Sequence, residues 1–174
     1  MKPEAIPIAV RPETPADFVS VRHINEAAFG RTDEAGLVES LRAENAILLS
    51  LVAEVESSVV GHIVFSRLWI DQALGATAAV ALAPLAVLPA YQSRGVGSAL
   101  VEHGLDLLRQ EGERCVFVLG EPVYYARFGF SVAKAKSIET PFPPEAFMAL
   151  ELVPGALKGI AGKARYARSF GLVN

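Results

Sequence analysis

Apolar and polar positions alternate over residues 6–11, IPIAVR, as far as Pro12, and this period of two predicts a first strand. From residue 14 the spacing lengthens. Phe18, Val21, Ile24 and Phe29 recur at helical intervals, with Thr14 placed to cap, Pro15 at the first helical position and Gly30 as the stop. Leu37, Val38 and Leu41 predict a second helix over 33–44. Two apolar runs, residues 47–55 and 59–70, are separated by polar Glu56, Ser57 and Ser58 and read as a hairpin. Residues 77–88, TAAVALAPLAVL, are almost unbroken apolar sequence, the pattern of a central strand covered on both faces. A helix over 98–111 turns Leu100, Val101, Leu105 and Leu108 inward and Glu102, His103, Asp106 and Arg109 to water. CVFVL (115–119) predicts another buried strand, and a short helical turn follows at 122–128. Beyond 134, proline and glycine punctuate the chain, with FMALELV (147–153) and GKARYARSF as late strands. The predicted order is β-α-α-β-β-β-α-β-α-β-β. This is one mixed α/β domain over residues 1–174, with a core at 6–133 and C-terminal strands at 134–174.

Composition narrows the classes of function. At 174 residues and 52% hydrophobic, the chain can bury a core of its own. Its formal net charge of -3 lacks the basic footprint of a nucleic-acid partner. No apolar run reaches the roughly 18 residues of a membrane helix, and residues 1–14 hold no apolar leader core. Cys115 stands alone, which excludes an internal disulfide and a paired-cysteine zinc site. His23, His62 and His103 are scattered and make no metal set. These features predict a cytoplasmic protein without metal, nucleic acid or membrane as partner, and the apolar C-terminal strands offer a surface for homodimerisation. At the start of a buried strand with no histidine near it in sequence, Cys115 reads as core rather than nucleophile. Trp69 reads as packing.

Residues 77–119 form a strand, a loop, a helix and a second strand, which together require a right-handed crossover. The loop QSRGVGS sets successive backbone N–H groups at a helix N-terminus, with Gly95 and Gly97 leaving the backbone bare; such a loop binds an anion, usually phosphate. It is not a nucleotide P-loop, because Ser98 and Ala99 follow Gly97 where a lysine would be needed. A dinucleotide fingerprint would need glycine at position 100, which is leucine, although Glu121 closes the next strand where a ribose contact would fall. Pro84 cannot donate within a central ladder, so a bulge is expected there. Past it, the backbone of Ala86, Val87 and Leu88 would be open to a ligand carrying its own amides. Coenzyme A has both a pyrophosphate and an arm with amides.

Residues 84–100 resemble the acyl-CoA-binding motif of the GNAT superfamily of N-acetyltransferases, Q/R-x-x-G-x-G/A, which stands here as Gln92-Ser93-Arg94-Gly95-Val96-Gly97 and runs on through Ser98 and Ala99. LAPLAVLPAY looks like the bulged fourth strand of that family. YYARFGF (124–130) is similar to its Y-x-x-x-G-F motif, with Tyr125 four residues before Gly129, and the tail resembles a bacterial subgroup. The resemblance implies a GNAT-like mixed sheet with a splayed central strand, flanked by helices. It also implies acetyl-CoA as acyl donor, with the pyrophosphate over the amides of 94–98, and direct attack of an amine on the thioester. Ala86, Val87 and Leu88 would meet the arm of the donor, a backbone N–H near Leu88 would receive the oxyanion, and Tyr125 would protonate the departing thiolate. Strand 77–88 carries no titratable residue, so Glu54, His62 and Glu121 remain as bases near the sheet and none is assigned. The resemblance also implies that the acceptor enters opposite the donor, bordered by the first two helices and the late strands. Here Glu26, Asp33, Glu34 and Glu39 stand against Arg22, Arg31 and Arg42, which predicts a mildly acidic rim for a cationic amine on a small molecule or a protein. Two alternatives remain: a module that binds acyl-CoA without turnover, and a nucleotide-binding oxidoreductase.

Overall fold

The polar break at Glu56 and Ser57 is a tight turn, with both residues in the left-handed region at φ 49 and 65. That backbone suits the twist of the hairpin it closes, between β2 (Ile47–Val55) and β3 (Ser58–Gln72). Around this hairpin the computed structural model, which describes residues 5–172, sets β1 (Ala9–Pro12), α1 (Phe18–Phe29) and α2 (Asp33–Ala43) before it. After it come β4 (Gly75–Val87), α3 (Val96–Gln110), β5 (Cys115–Leu119) and α4 (Pro122–Ala126), then β6 (Ile138–Glu139), β7 (Phe147–Glu151) and β8 (Gly162–Arg165). Eight strands form one sheet in the order β1-β2-β3-β4-β5-β7, with β8 pairing β3 and β6 pairing β8. The expected order of elements is present, with β6 as an addition. The first strand lies at 9–12 rather than 6–11 and ends on Pro12, tolerated because β1 is an edge strand.

The chain divides into two compact units, Met1–Val64 with Pro84–Gly104, and Phe65–Ala83 with Leu105–Asn174. In the first, β1 pairs antiparallel with β2 from Ala9↔Glu54 to Pro12↔Leu51. Thr14 and Pro15 open a short 3-10 turn rather than α1 itself, and Asp17 is held there by the Thr14 N–H (2.8 Å) and by Arg11 (2.7 Å). Val21 and Ile24 of α1, Val38 and Leu41 of α2, and Leu51, Ala53 and Val60 of the hairpin are all buried. Each such aliphatic side chain contributes about 1.5–3 kcal/mol. Phe18 and Phe29, expected on the inward face, are partly exposed. The Phe18 ring instead carries the Arg42 guanidinium at 3.7 Å, a cation–π contact.

In the second unit β4 and β5 run parallel, as the crossover requires, from Val80↔Val116 to Leu82↔Val118. This ladder ends two residues short of Pro84, whose missing N–H could not have extended it. β5 continues into an antiparallel pair with β7, from Cys115↔Glu151 to Leu119↔Phe147. β3, at 15 residues, outruns the nine of β2, and its last part pairs with β8 at Trp69↔Arg165, Ile70↔Ala164 and Asp71↔Lys163. Leu68, Ile70, Ala79, Ala81, Phe117, Phe147 and Tyr166 fill the core of this unit. The Phe117 and Phe147 rings stack there at 5.4 Å. Arg67 spans to the Ala79 carbonyl (3.1 Å) and to Glu113 (2.6 Å). No helix among the described residues is long and apolar enough to cross a membrane. The expectation about a leader falls partly on residues 1–4, outside the described residues.

Candidate active site

The loop between β4 and α3 begins with Leu88 and a 3-10 turn over Pro89–Tyr91, closed by the Tyr91 N–H on the Leu88 carbonyl at 2.8 Å. Gln92 is extended, and its side-chain amide donates to the Val87 carbonyl at 3.0 Å. Ser93 and Gly95 take left-handed backbone at φ 58 and 88. A Cβ at residue 95 would find Ile8 Cδ1 no nearer than 3.9 Å, so it is conformation, not crowding, that asks for glycine here. Gln92, Ser93, Arg94 and Gly95 are exposed, and the Arg94 guanidinium lies 5.7 Å from the Tyr91 ring. The helix then starts, with Ala99 N–H on the Gly95 carbonyl at 3.0 Å. The amides of a first helical turn precede the i→i−4 ladder and carry the positive end of the helix dipole. An exposed loop with two left-handed residues leading into that turn is an arrangement that can hold an anion. Val96 is 1% exposed, so its side chain belongs to the core and only its backbone can face a ligand.

One backbone donor at this loop is already engaged. The Leu88 N–H, assigned to the oxyanion, donates to the Val60 carbonyl at 2.9 Å. A donor satisfied by the neighbouring strand is not poised for developing charge. Gln92 likewise acts within the chain, holding the end of β4.

Tyr125 lies in the second unit, on α4, whose first residues follow β5 through Gly120 and Glu121. The ring is 9% exposed and packs edge-on against Tyr124 (5.0 Å) and Phe130 (5.8 Å). The aromatic face seen in the sequence is therefore core, yet it ends in a hydroxyl with no hydrogen-bond partner among the described residues. Burial raises the phenol pKa well above its ordinary value, so at neutral pH the group is a proton donor.

Two of the three candidate bases are engaged. Glu54 pairs with Arg11 at 2.8 Å. His62 is wholly buried, and burial with the nearby charge of Arg42 lowers its pKa to about 3. Its contacts are satisfied by a neutral ring: Asn25 Nδ2 donates to Nδ1 (3.2 Å), Nε2–H donates to Ser50 Oγ (2.9 Å), and Ser50 donates to Glu13 (2.8 Å), which Arg42 binds at 2.9 Å. His62 is structural, and Glu121 remains as an exposed carboxylate. Cys115 is buried and its thiol is pushed up to about 11, an inert state. The acidic rim is compensated: Arg22 binds Glu26 (2.9 Å) and Glu39 (2.6 Å), and Arg31 binds Glu34 and Asp33. None of those four carboxylates stands without an arginine. No cluster able to hold a metal occurs among the described residues.

The model of the acetyltransferase (GNAT) family matches residues 18–130. The uncharacterized N-acetyltransferase YjhQ of Escherichia coli K12 is 41% identical over 131 residues, 74% of this chain and 72% of that protein. YhbS of the same strain, also named an uncharacterized N-acetyltransferase, is 34% identical over 164 residues, 92% of this chain and 97% of that protein. The crystal structure of E. coli YhbS in complex with CoA superposes with a TM-score of 0.88 at 32% identity, covering 100% of this chain and 97% of that one. A GNAT acetyltransferase from Brucella melitensis in complex with acetyl-CoA gives 0.79 at 34% identity, covering 94% of this chain and 98% of that one.

Proposed function

Because the chain belongs to the GNAT family of acetyltransferases, we propose that it transfers the acetyl group of acetyl-CoA to an amine by direct attack, with the donor's pyrophosphate on the first turn of α3. The observation that carries this reading is the exposed turn at Ser93 and Gly95 running into a 15-residue helix. It is joined to the likeness to two proteins crystallised with CoA and acetyl-CoA. The amine nitrogen bonds to the thioester carbonyl carbon. The tetrahedral oxyanion collapses, the C–S bond breaks, and the thiolate takes the Tyr125 proton. The ammonium proton leaves to water, since β4 supplies no titratable side chain. With the Leu88 N–H committed to Val60, stabilisation of the oxyanion falls to the strand amides before it, at 85–87.

The acceptor is an amine on a small molecule or a protein. Dependence on acetyl-CoA and a single buried thiol support a cytoplasmic site of action. The exposed Leu119 and Val153 support homodimerisation through the later strands.

Calorimetric titration of Gly97→Val with acetyl-CoA tests the placement of the donor. A valine there puts a branched side chain on the phosphate-facing turn, and affinity should fall at least roughly a hundredfold, about 3 kcal/mol. Unchanged affinity in folded protein would remove the donor from this loop. Thiol release across a panel of amines then reports transfer.

A further inference from the structure

The loop that faces the ligand is held at both ends by two consecutive residues of β3. At its start, the Val60 carbonyl accepts the Leu88 N–H at 2.9 Å. At its end, Gly61 lies beneath the first turn of α3. A Cβ on Gly61 would sit 2.8 Å from Val96 Cγ1, 3.0 Å from Leu100 Cδ1 and 3.5 Å from Ala53 Cβ. Val96 and Leu100 are 1% and 0% exposed, so neither has empty space to retreat into. Residue 61 is absent from the left-handed positions, so the backbone conformation does not call for glycine. A bare position inside a strand marks the close approach of another element. Here that element is the helix whose first turn adjoins Gly95 and Gly97. Successive residues of a strand point to opposite faces, and the next side chain, His62, meets Asn25 of α1.

We infer that Gly61 is a positioning residue for the acyl donor: without touching the ligand, it sets how deeply the first turn of α3 seats on β3, and so where the turn's amides meet the pyrophosphate. The inference rests on the donor placement proposed above. The closest of these contacts falls below 3 Å, and relieving it moves the turn by several tenths of an ångström or more. A misplacement of about 1 Å can cost a catalytic geometry about a hundredfold, and the hydrogen bonds of the turn's amides to a pyrophosphate are likewise steep in distance and angle. Leu88, tied through the backbone of Val60, does not move with the helix, so a side chain at 61 distorts the loop rather than carrying it along as a body.

The test is a double-mutant cycle between Gly61 and Val96, read by the Kd for CoA, by KM and kcat for acetyl-CoA, and by thermal melting. Gly61→Ala should raise Kd and KM roughly tenfold or more while kcat at saturation changes less than about threefold. A role confined to stability would lower the melting temperature and leave the Kd of the folded fraction alone, and that result overturns the inference. In the Val96→Ala background, where the colliding Cγ1 is gone, adding Gly61→Ala should cost less than about threefold. An equal penalty in both backgrounds also overturns it. Should Gly61→Ala not fold, the double variant carries the test. A double variant that folds and binds CoA as Val96→Ala does supports the inference, and one that does not fold refutes it. Gly97→Val separates the two levels. If that variant binds normally, the donor placement is at fault; if it fails to bind while Gly61→Ala binds normally, only the role of Gly61 is lost.

Discussion

Gly120 and Tyr125 are in contact in a way only glycine permits: a Cβ at residue 120 would stand 2.5 Å from Cε2 of the tyrosine ring. The last turn of backbone before α4 is thus the floor on which the phenol lies, pinned by the Gly120 N–H on the Ala146 carbonyl at 3.1 Å. Gly120→Ala must tilt the ring or push it outward. In acetyl transfer this should lower kcat by roughly tenfold while the Kd for CoA holds. Tyr125→Phe keeps the ring and deletes the proton, and should lower kcat by roughly tenfold to a thousandfold with melting temperature and CoA affinity unmoved. Steady-state kinetics beside calorimetry decides it, and full turnover in Tyr125→Phe returns the residue to the core.

Gly95→Ala forces an alanine into φ 88. The left-handed backbone costs roughly 1–2 kcal/mol, a drop of about 2–8 °C in Tm for a chain of this size. CoA affinity should fall as well. Melting curves with and without CoA separate the strain from the loss of ligand, since a bound donor stabilises in proportion to its affinity.

Acid should unfold the protein partly through His62. Its folded pKa is about 3, lowered from 6.5. Between those values the unfolded chain binds a proton that the folded chain refuses, so stability decreases as pH falls, by up to about 1.4 kcal/mol per pH unit. The penalty is absent above pH 6.5. Asp17, held below its ordinary value first by Arg11, loses its contribution further down the scale, so both act in the same direction. Urea melts stepped from neutral to about pH 4 should show the slope, and His62→Gln should flatten it. An unchanged slope in that variant would place the proton uptake elsewhere.

Cys115 should resist alkylation in the native protein and react at once in denaturant, because its thiol is buried and pushed up to about 11. Cys115→Ala should retain turnover. Inactivation of native enzyme by a thiol reagent would reopen a covalent route.

The long periodic segments could be read directly from the chain. β4 and β5 are apolar on both faces, α3 carries an inward stripe, and the parallel register between the two strands follows from the crossover. β6 spans two residues, too few to show a period. The left-handed turn that leads into α3 was legible because its residues, Gln92 to Gly97, are contiguous. The fate of the Leu88 amide was not, since Pro84 speaks only for its own missing donor and the carbonyl of Val60 arrives from another strand. The set of Glu13, Asn25, Arg42, Ser50 and His62 was invisible for the same reason, with five residues contributed by five segments. Counting charges on the first two helices suggested an acidic rim. Spacing alone held part of the answer, because Arg22–Glu26 and Arg31–Glu34 sit at helical pairing distances.

The pairing of β8 with the overhanging part of β3 has a consequence for chain integrity. Residues 69–71 lie where β2 has already ended, and β8 covers them. Gly162 is what lets it dock, since any side chain there would run into the Asp71 carbonyl. A chain ending before Gly162 would leave that stretch as an open, adhesive margin flanked by Trp69 and by the fully exposed Leu74. The nearest equivalent filler is the same segment of another molecule. Shortened or nicked forms should therefore trade tails or stack edge to edge, and β8 serves as a built-in guard against self-association.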